Sequence, residues 1–127
     1  MEDLQIGDRV SAIYKTGKYL GEITDIRPQH YLVRVLAVVK HPNQGDLHSP
    51  KSMEVGFFHE RRALAYREQA NIPMKMVKPY AEELPDYKHS LKNAVEKLKQ
   101  ELDEEASPWG EKCLDLLHSL EKDYFKE

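Results

Sequence analysis

The sequence predicts a small β-barrel followed by an αα-hairpin, and three observations carry that prediction. Over the first part of the chain, apolar and polar residues alternate in short runs broken by glycine- and proline-containing turns, the signature of half-buried strands. Beyond residue 81 the apolar spacing changes to the i, i+3, i+4 period of amphipathic helices. The charge balance changes sign at the same place. Residues 1–80 carry 12 Lys and Arg against 9 Asp and Glu, whereas residues 81–127 carry 7 against 13. Coincident shifts in period and charge mark a boundary. The expected arrangement is a barrel of residues 1–80 with a hairpin of residues 81–127 packed on it as one unit. A chain of 127 residues suits a single domain with one modest core.

Gly7-Asp8 forms a turn, and Arg9–Tyr14 follows as a strand with Val10, Ala12 and Tyr14 on one face. Lys15-Thr16-Gly17-Lys18 is the next turn, where Gly17 is expected to supply a positive φ. Residues 19–26 resume the alternation, with Gly21 and Ile23 on one side. Pro28 ends that strand, because proline has no amide to donate to a ladder. Residues 31–39, YLVRVLAVV, are dense in β-branched side chains with Arg34 the one charge. That run predicts a bent strand buried on both faces. Residues 40–56 hold Pro42, Gly45, Pro50 and Gly56 without periodicity, a loop long enough to suggest function.

Residues 57–67 read as another strand, although ERRALAYREQ also fits a helix. Residues 70–73 and 77–80 bracket Met74-Lys75-Met76, the pattern of two short strands around one 3₁₀ turn. Asp86 offers an N-cap to a helix starting at Tyr87, whose apolar stripe is Leu91, Ala94, Val95, Leu98 and Leu102. The pattern fades over residues 103–106. Ser107-Pro108 restarts it with a capping serine and a proline at the first helical position. Trp109, Cys113, Leu116, Leu117, Leu120 and Tyr124 form the second stripe, with Trp109 and Leu117 expected among the buried residues. Two stripes joined by a short connection make an αα-hairpin.

Several classes are argued against at once. No apolar stretch approaches the roughly 20 residues of a bilayer helix. The single cysteine, Cys113, allows no intramolecular disulfide and fits a reducing compartment. The opening MEDLQIGDRV places acids where a secretory signal carries lysines. A cytoplasmic protein is expected, reaching a membrane only indirectly through a partner.

Ile6-Gly7-Asp8-Arg9-Val10, followed by Gly17-Lys18-Tyr19-Leu20-Gly21-Glu22-Ile23, resembles the opening of an SH3-like or KOW-like barrel. Residues 72–80 are similar to the strand–3₁₀–strand that closes such barrels. A more specific likeness lies in the middle of the chain. Arg27-Pro28-Gln29-His30-Tyr31-Leu32-Val33, Lys40-His41-Pro42, Gln44-Gly45-Asp46-Leu47-His48, Phe57-Phe58-His59-Glu60-Arg61-Arg62-Ala63-Leu64-Ala65 and Asn71-Ile72-Pro73 resemble the kinase-associated protein B family of spore-forming bacilli. The resemblance spans roughly residues 5–125. It implies a non-enzymatic accessory factor that helps a sporulation sensor histidine kinase feed its phosphorelay. It also brings a lipoprotein label, which this N-terminus, without an acylable cysteine, does not match.

His41, Asp46, His48 and His59 are ligand types that zinc accepts, but their spacing matches no metal motif. Neither a metal nor any other cofactor is expected. No G-x-S-x-G, H-E-x-x-H, P-loop or G-x-G-x-x-G occurs, so no catalytic residues are assigned. RNA binding by a KOW-like module is the alternative reading, with Arg9, Lys15, Lys18, Arg34, Arg61, Arg62 and Arg67 beside Tyr14, Tyr19 and Tyr31 for stacking. A +3 barrel with interleaved acids argues against it. The expected function is protein–protein interaction with a sensor histidine kinase. The expected contact surface is His41, Asp46, His48, Phe58, His59, Arg61 and Arg62, since rigid scaffolds present recognition residues on loops and arginine and aromatic side chains lead binding hot spots.

Overall fold

The computed structural model describes residues 4–44, 60–105 and 107–126. The strands are β1 (Arg9–Tyr14), β2 (Gly17–Ile26), β3 (His30–Lys40), β4 (Gln69–Pro73) and β5 (Val77–Pro79), with one 3₁₀ turn at Met74–Met76. The helices are α1 (Tyr87–Glu105) and α2 (Pro108–Tyr124). The strands form one antiparallel sheet in the order β4-β3-β2-β1-β5. All five contribute to one apolar core containing Val10, Ala12, Ile23, Tyr31, Val33, Ala70, Ile72 and Val77. The sheet is therefore curled and barrel-like. Hydrogen bonding leaves it open between β4 and β5, which the 3₁₀ turn joins.

Local chemistry accounts for most of these boundaries. β1 and β2 pair down to Tyr14 opposite Gly17, so Lys15-Thr16 is a two-residue hairpin loop. Lys15, with φ of 55°, takes the left-handed backbone there, and Gly17 does not. Gly17 is needed for a different reason: a Cβ at that position would meet the Tyr19 ring. β2 and β3 are bent by register irregularities at Lys18/Tyr19, Leu20/Gly21 and Ile23/Asp25, the bulges by which a sheet curls. β3 is not fully buried on both faces. Tyr31, Val33, Val35 and Ala37 are buried, while Leu32, Arg34 and Leu36 between them are half-buried. Val38 then joins the buried set against α1.

Both helix starts follow their caps. The Asp86 carboxylate accepts the His89 amide at 3.1 Å, and the Ser107 hydroxyl accepts the Gly110 amide at 3.0 Å. α1 buries Leu91, Ala94 and Val95 against Tyr19, Val35, Val38 and Ala63. Farther along, its Leu98 and Leu102 meet Cys113 and Leu117 of α2, with Trp109 partly buried at their side. Ser90 of α1 donates to the Tyr87 carbonyl and accepts the Val38 amide at 3.0 Å. The helix thus covers the part of β3 beyond Arg34, which pairs with β2 on one side and, among the described residues, has no strand on the other, a protection exposed sheet edges need.

Residues 60–68 correct the expectation of a strand or helix over 57–67: they form neither. Residues 57–59 lie outside the described part. The physical reason is how the backbone of this segment is satisfied. Three tyrosine hydroxyls from three elements hold it. Ala63 donates its amide to Tyr124 at 2.8 Å, Leu64 donates to Tyr19 at 3.2 Å, and Tyr87 donates to the Leu64 carbonyl at 2.6 Å. Buried backbone groups must be paired, and here side chains do what a ladder would.

Candidate functional site

Residues 41–44 and 60–64 are the two described flanks of the long loop, and a connected polar network ties them together. The Gln44 side chain is buried and acts as a substitute strand. Its carbonyl accepts the Arg61 amide at 2.9 Å, and its NH₂ donates to the Arg61 carbonyl at 2.9 Å and to the Pro42 carbonyl at 3.1 Å. The Asn43 amide donates to the Thr16 hydroxyl at 2.9 Å, fastening the same flank to the β1–β2 turn.

His41 sits at the centre with no exposed surface. Nδ1 is 2.9 Å from the Pro42 carbonyl, which can only accept, so Nδ1 carries the proton. Nε2 then accepts from the Tyr124 hydroxyl at 2.9 Å, and that hydroxyl accepts the Ala63 amide. A neutral imidazole of one tautomer completes the chain. Burial pushes the His41 pKa below its ordinary value, partly opposed by the Pro42 hydrogen bond. Arg62 stacks over the Tyr124 ring with its guanidinium carbon 5.2 Å from the centroid and pairs with Asp123. The last turn of α2 is therefore latched to both flanks of the loop.

Against this network lies a groove of about 330 Å³ lined by Tyr14, Lys15, Thr16, Pro42, Arg61 and Arg62, with the carboxylates of Glu60 and Glu68 among them. Of the residues expected to form one contact surface, Arg61 and Arg62 line this groove. His41 does not line any surface: it is a buried strut, and its correction follows from its pairing with Tyr124. Asp46, His48, Phe58 and His59 lie outside the described residues. Sequence reasoning missed Gln44, Thr16, Tyr19 and Tyr87 as organisers of the site. Tyr124 was legible as the end of an apolar stripe, and its hydroxyl was the unread signal.

Burial raises the Tyr19 phenol to about 12 and raises Tyr87 and Tyr124 as well, so all three stay neutral. Burial also raises the Cys113 thiol to about 11, which leaves it unreactive near neutrality. Among the described residues no cluster of His, Cys, Asp and Glu converges to hold a metal, and no helix is long and apolar enough to cross a membrane.

Comparison with known proteins gives a consistent result. The profile of the family described as Kinase associated protein B matches residues 14–125. A curated relative from Bacillus subtilis (strain 168), Kinase-associated lipoprotein B, is 55% identical over 125 residues, covering 98% of each chain. The crystal structure of kinase-associated protein B from Bacillus cereus superposes with a TM-score of 0.82 at 49% identity, covering 96% of this chain and 98% of that one.

Proposed function

Because the chain belongs to the kinase-associated protein B family, we propose that it is a non-enzymatic accessory factor that activates a sporulation sensor histidine kinase by protein–protein interaction within the phosphorelay. The observation that carries this reading is the 55% identity to Kinase-associated lipoprotein B over 98% of both chains. The kinase association comes from the relatives' names. The geometry supports a binding role, because the described flanks of the loop are rigidly tied while Arg61 and Arg62 line a groove. The proposed contact surface is Arg61 and Arg62 together with Asp46, His48, Phe58 and His59 of the intervening segment. His41 and Tyr124 serve it as positioning residues.

The RNA-binding alternative finds less support. Tyr19 and Tyr31, offered as stacking platforms, are buried. Arg34 is paired with Glu22 at 3.1 Å, so that cation is already engaged.

The reading is tested by affinity capture of the tagged protein from sporulating cells, followed by mass spectrometry. Recovery of a sensor histidine kinase is expected, whereas recovery of rRNA or ribosomal proteins overturns the assignment. The surface is tested separately with His48→Ala, His59→Ala and Arg61→Ala in a kinase-dependent sporulation assay, with folding checked by circular dichroism. Loss of sporulation with the fold intact is expected. Wild-type behaviour of all three variants moves the contact elsewhere.

A further inference from the structure

The helical hairpin distributes its charge unevenly along its length. Carboxylates crowd the end where the helices are joined, with Glu101, Asp103, Glu104 and Glu105 closing α1 and Glu111 and Asp115 following in α2. Of the hairpin's seven lysines, Lys88, Lys92, Lys122 and Lys126 lie toward the open end, with Asp86, Glu121 and Asp123. There Lys88 and Lys92 of α1 and Lys122 of α2 line one cleft of about 640 Å³, together with His89 and Phe125.

The two carboxylates in that cleft are already engaged. Asp86 caps α1 through the His89 amide, and Glu121 is held by Lys99 at 3.1 Å. Lys88, Lys92 and Lys122 make no ion pair among the described residues. Three ammonium groups against the single carboxylate of Asp86, which has an amide but, among the described residues, no cationic partner, leave the cleft with a net positive potential, on a hairpin whose own balance is negative. Phe125, half-buried and packed edge-on against Tyr124 at 6.1 Å, adds an apolar patch to the same cleft.

We propose that this cleft docks an acidic segment of a protein partner, its carboxylates on Lys88, Lys92 and Lys122 and an apolar side chain on Phe125. The uneven charge distribution is what selects a short segment. A 19-residue helix is about 28 Å long, well beyond the roughly 8 Å over which exposed charges act at physiological salt. A short acidic segment at the open end therefore escapes the carboxylates at the joined end. A membrane plane or a long nucleic acid lying along the hairpin would meet both. The site is separate from the groove at Arg61 and does not depend on the partner being a kinase.

The test is fluorescence anisotropy of the full chain with a short labelled oligoglutamate peptide carrying one central phenylalanine. Saturable binding is expected, weakening steeply with salt. The variant K88Q/K92Q/K122Q should bind about tenfold more weakly. The control K75Q/K78Q/K97Q removes the same charge from elsewhere and should stay within about twofold. A probe lacking the phenylalanine should bind the wild type more weakly. Absence of saturable binding, an equal loss in both variants, or tighter binding to phosphatidylserine vesicles than to the peptide overturns the proposal.

Discussion

One hydroxyl at the end of α2 connects residues that lie far apart in the chain. Tyr124 accepts the Ala63 amide and donates to His41 Nε2, while its ring carries Arg62. Replacing it with phenylalanine keeps the ring and deletes the bridge, leaving an amide and an imidazole nitrogen unpaired in the interior. Tyr124→Phe should cost about 1–3 kcal/mol, measurable by urea unfolding at neutral pH. His41 adds a pH dependence whose sign is fixed by its burial. Its folded pKa lies below the ordinary value, so on acidification the unfolded chain takes up the proton first. The stability His41 contributes is present above its unfolded pKa of about 6.5. It is lost progressively as pH falls toward the folded value. Protonation would also turn Nε2 into a donor facing a hydroxyl that already accepts the Ala63 amide. Urea midpoints should therefore drop between about pH 7.5 and pH 5.5, and His41→Gln should flatten that part of the dependence even though it is less stable at neutral pH.

At the level of elements, close approach in the sheet decides which glycines matter. Gly21 lies where β2 and β3 are pressed together, and a Cβ there would overlap the Arg34 carbonyl oxygen. At Gly17 the obstacle is the Tyr19 ring, a side chain that can shift by giving up its bond to Leu64. Gly21→Ala should therefore lower the melting temperature more than Gly17→Ala, because a backbone obstacle can yield only by spreading the strands. β1, the pair of strands around the 3₁₀ turn and both capped helices were readable from the sequence, because each is set by local spacing or by a cap within a few residues. Residues 60–68 were not. Alternation such as Ala63, Ala65 against Leu64, Tyr66 reports where apolar groups fall, and says nothing of the three tyrosines, distant in sequence, that hold the backbone. His41 failed for a related reason: a histidine next to a proline-rich loop looks solvated until its hydroxyl partner 83 residues away is known. Among the described residues of the expected surface, Arg61 and Arg62 are found on a groove and His41 is not.

For the whole molecule, charge and cohesion lead to two expectations. Three of the barrel's cations are held in ion pairs, Arg27 and Arg34 by its own carboxylates and Arg62 by Asp123 of α2, so counterion release on a phosphate backbone is limited. Mixed single-stranded RNA should bind no more tightly than about 10 μM near physiological salt, weaker than typical specific binding, as read by fluorescence anisotropy. The second expectation concerns residues 1–80 without the hairpin. α1 covers Tyr19, Val35, Val38 and Ala63, and amphipathic helices draw most of their stability from packing, so each half is expected to need the other. Cutting after Tyr80 uncovers that apolar set. It also strips the Val38 amide of Ser90, the Leu64 carbonyl of Tyr87 and the Ala63 amide of Tyr124. Unpaired backbone and exposed apolar surface then fall on one face, beside a β3 edge left open for pairing with another chain. The truncated chain should show no cooperative thermal transition and should elute as aggregates in gel filtration. A cooperative melt at the full-length temperature would mean that residues 1–80 fold alone and that the hairpin is an attached module rather than the lid of the barrel's second core.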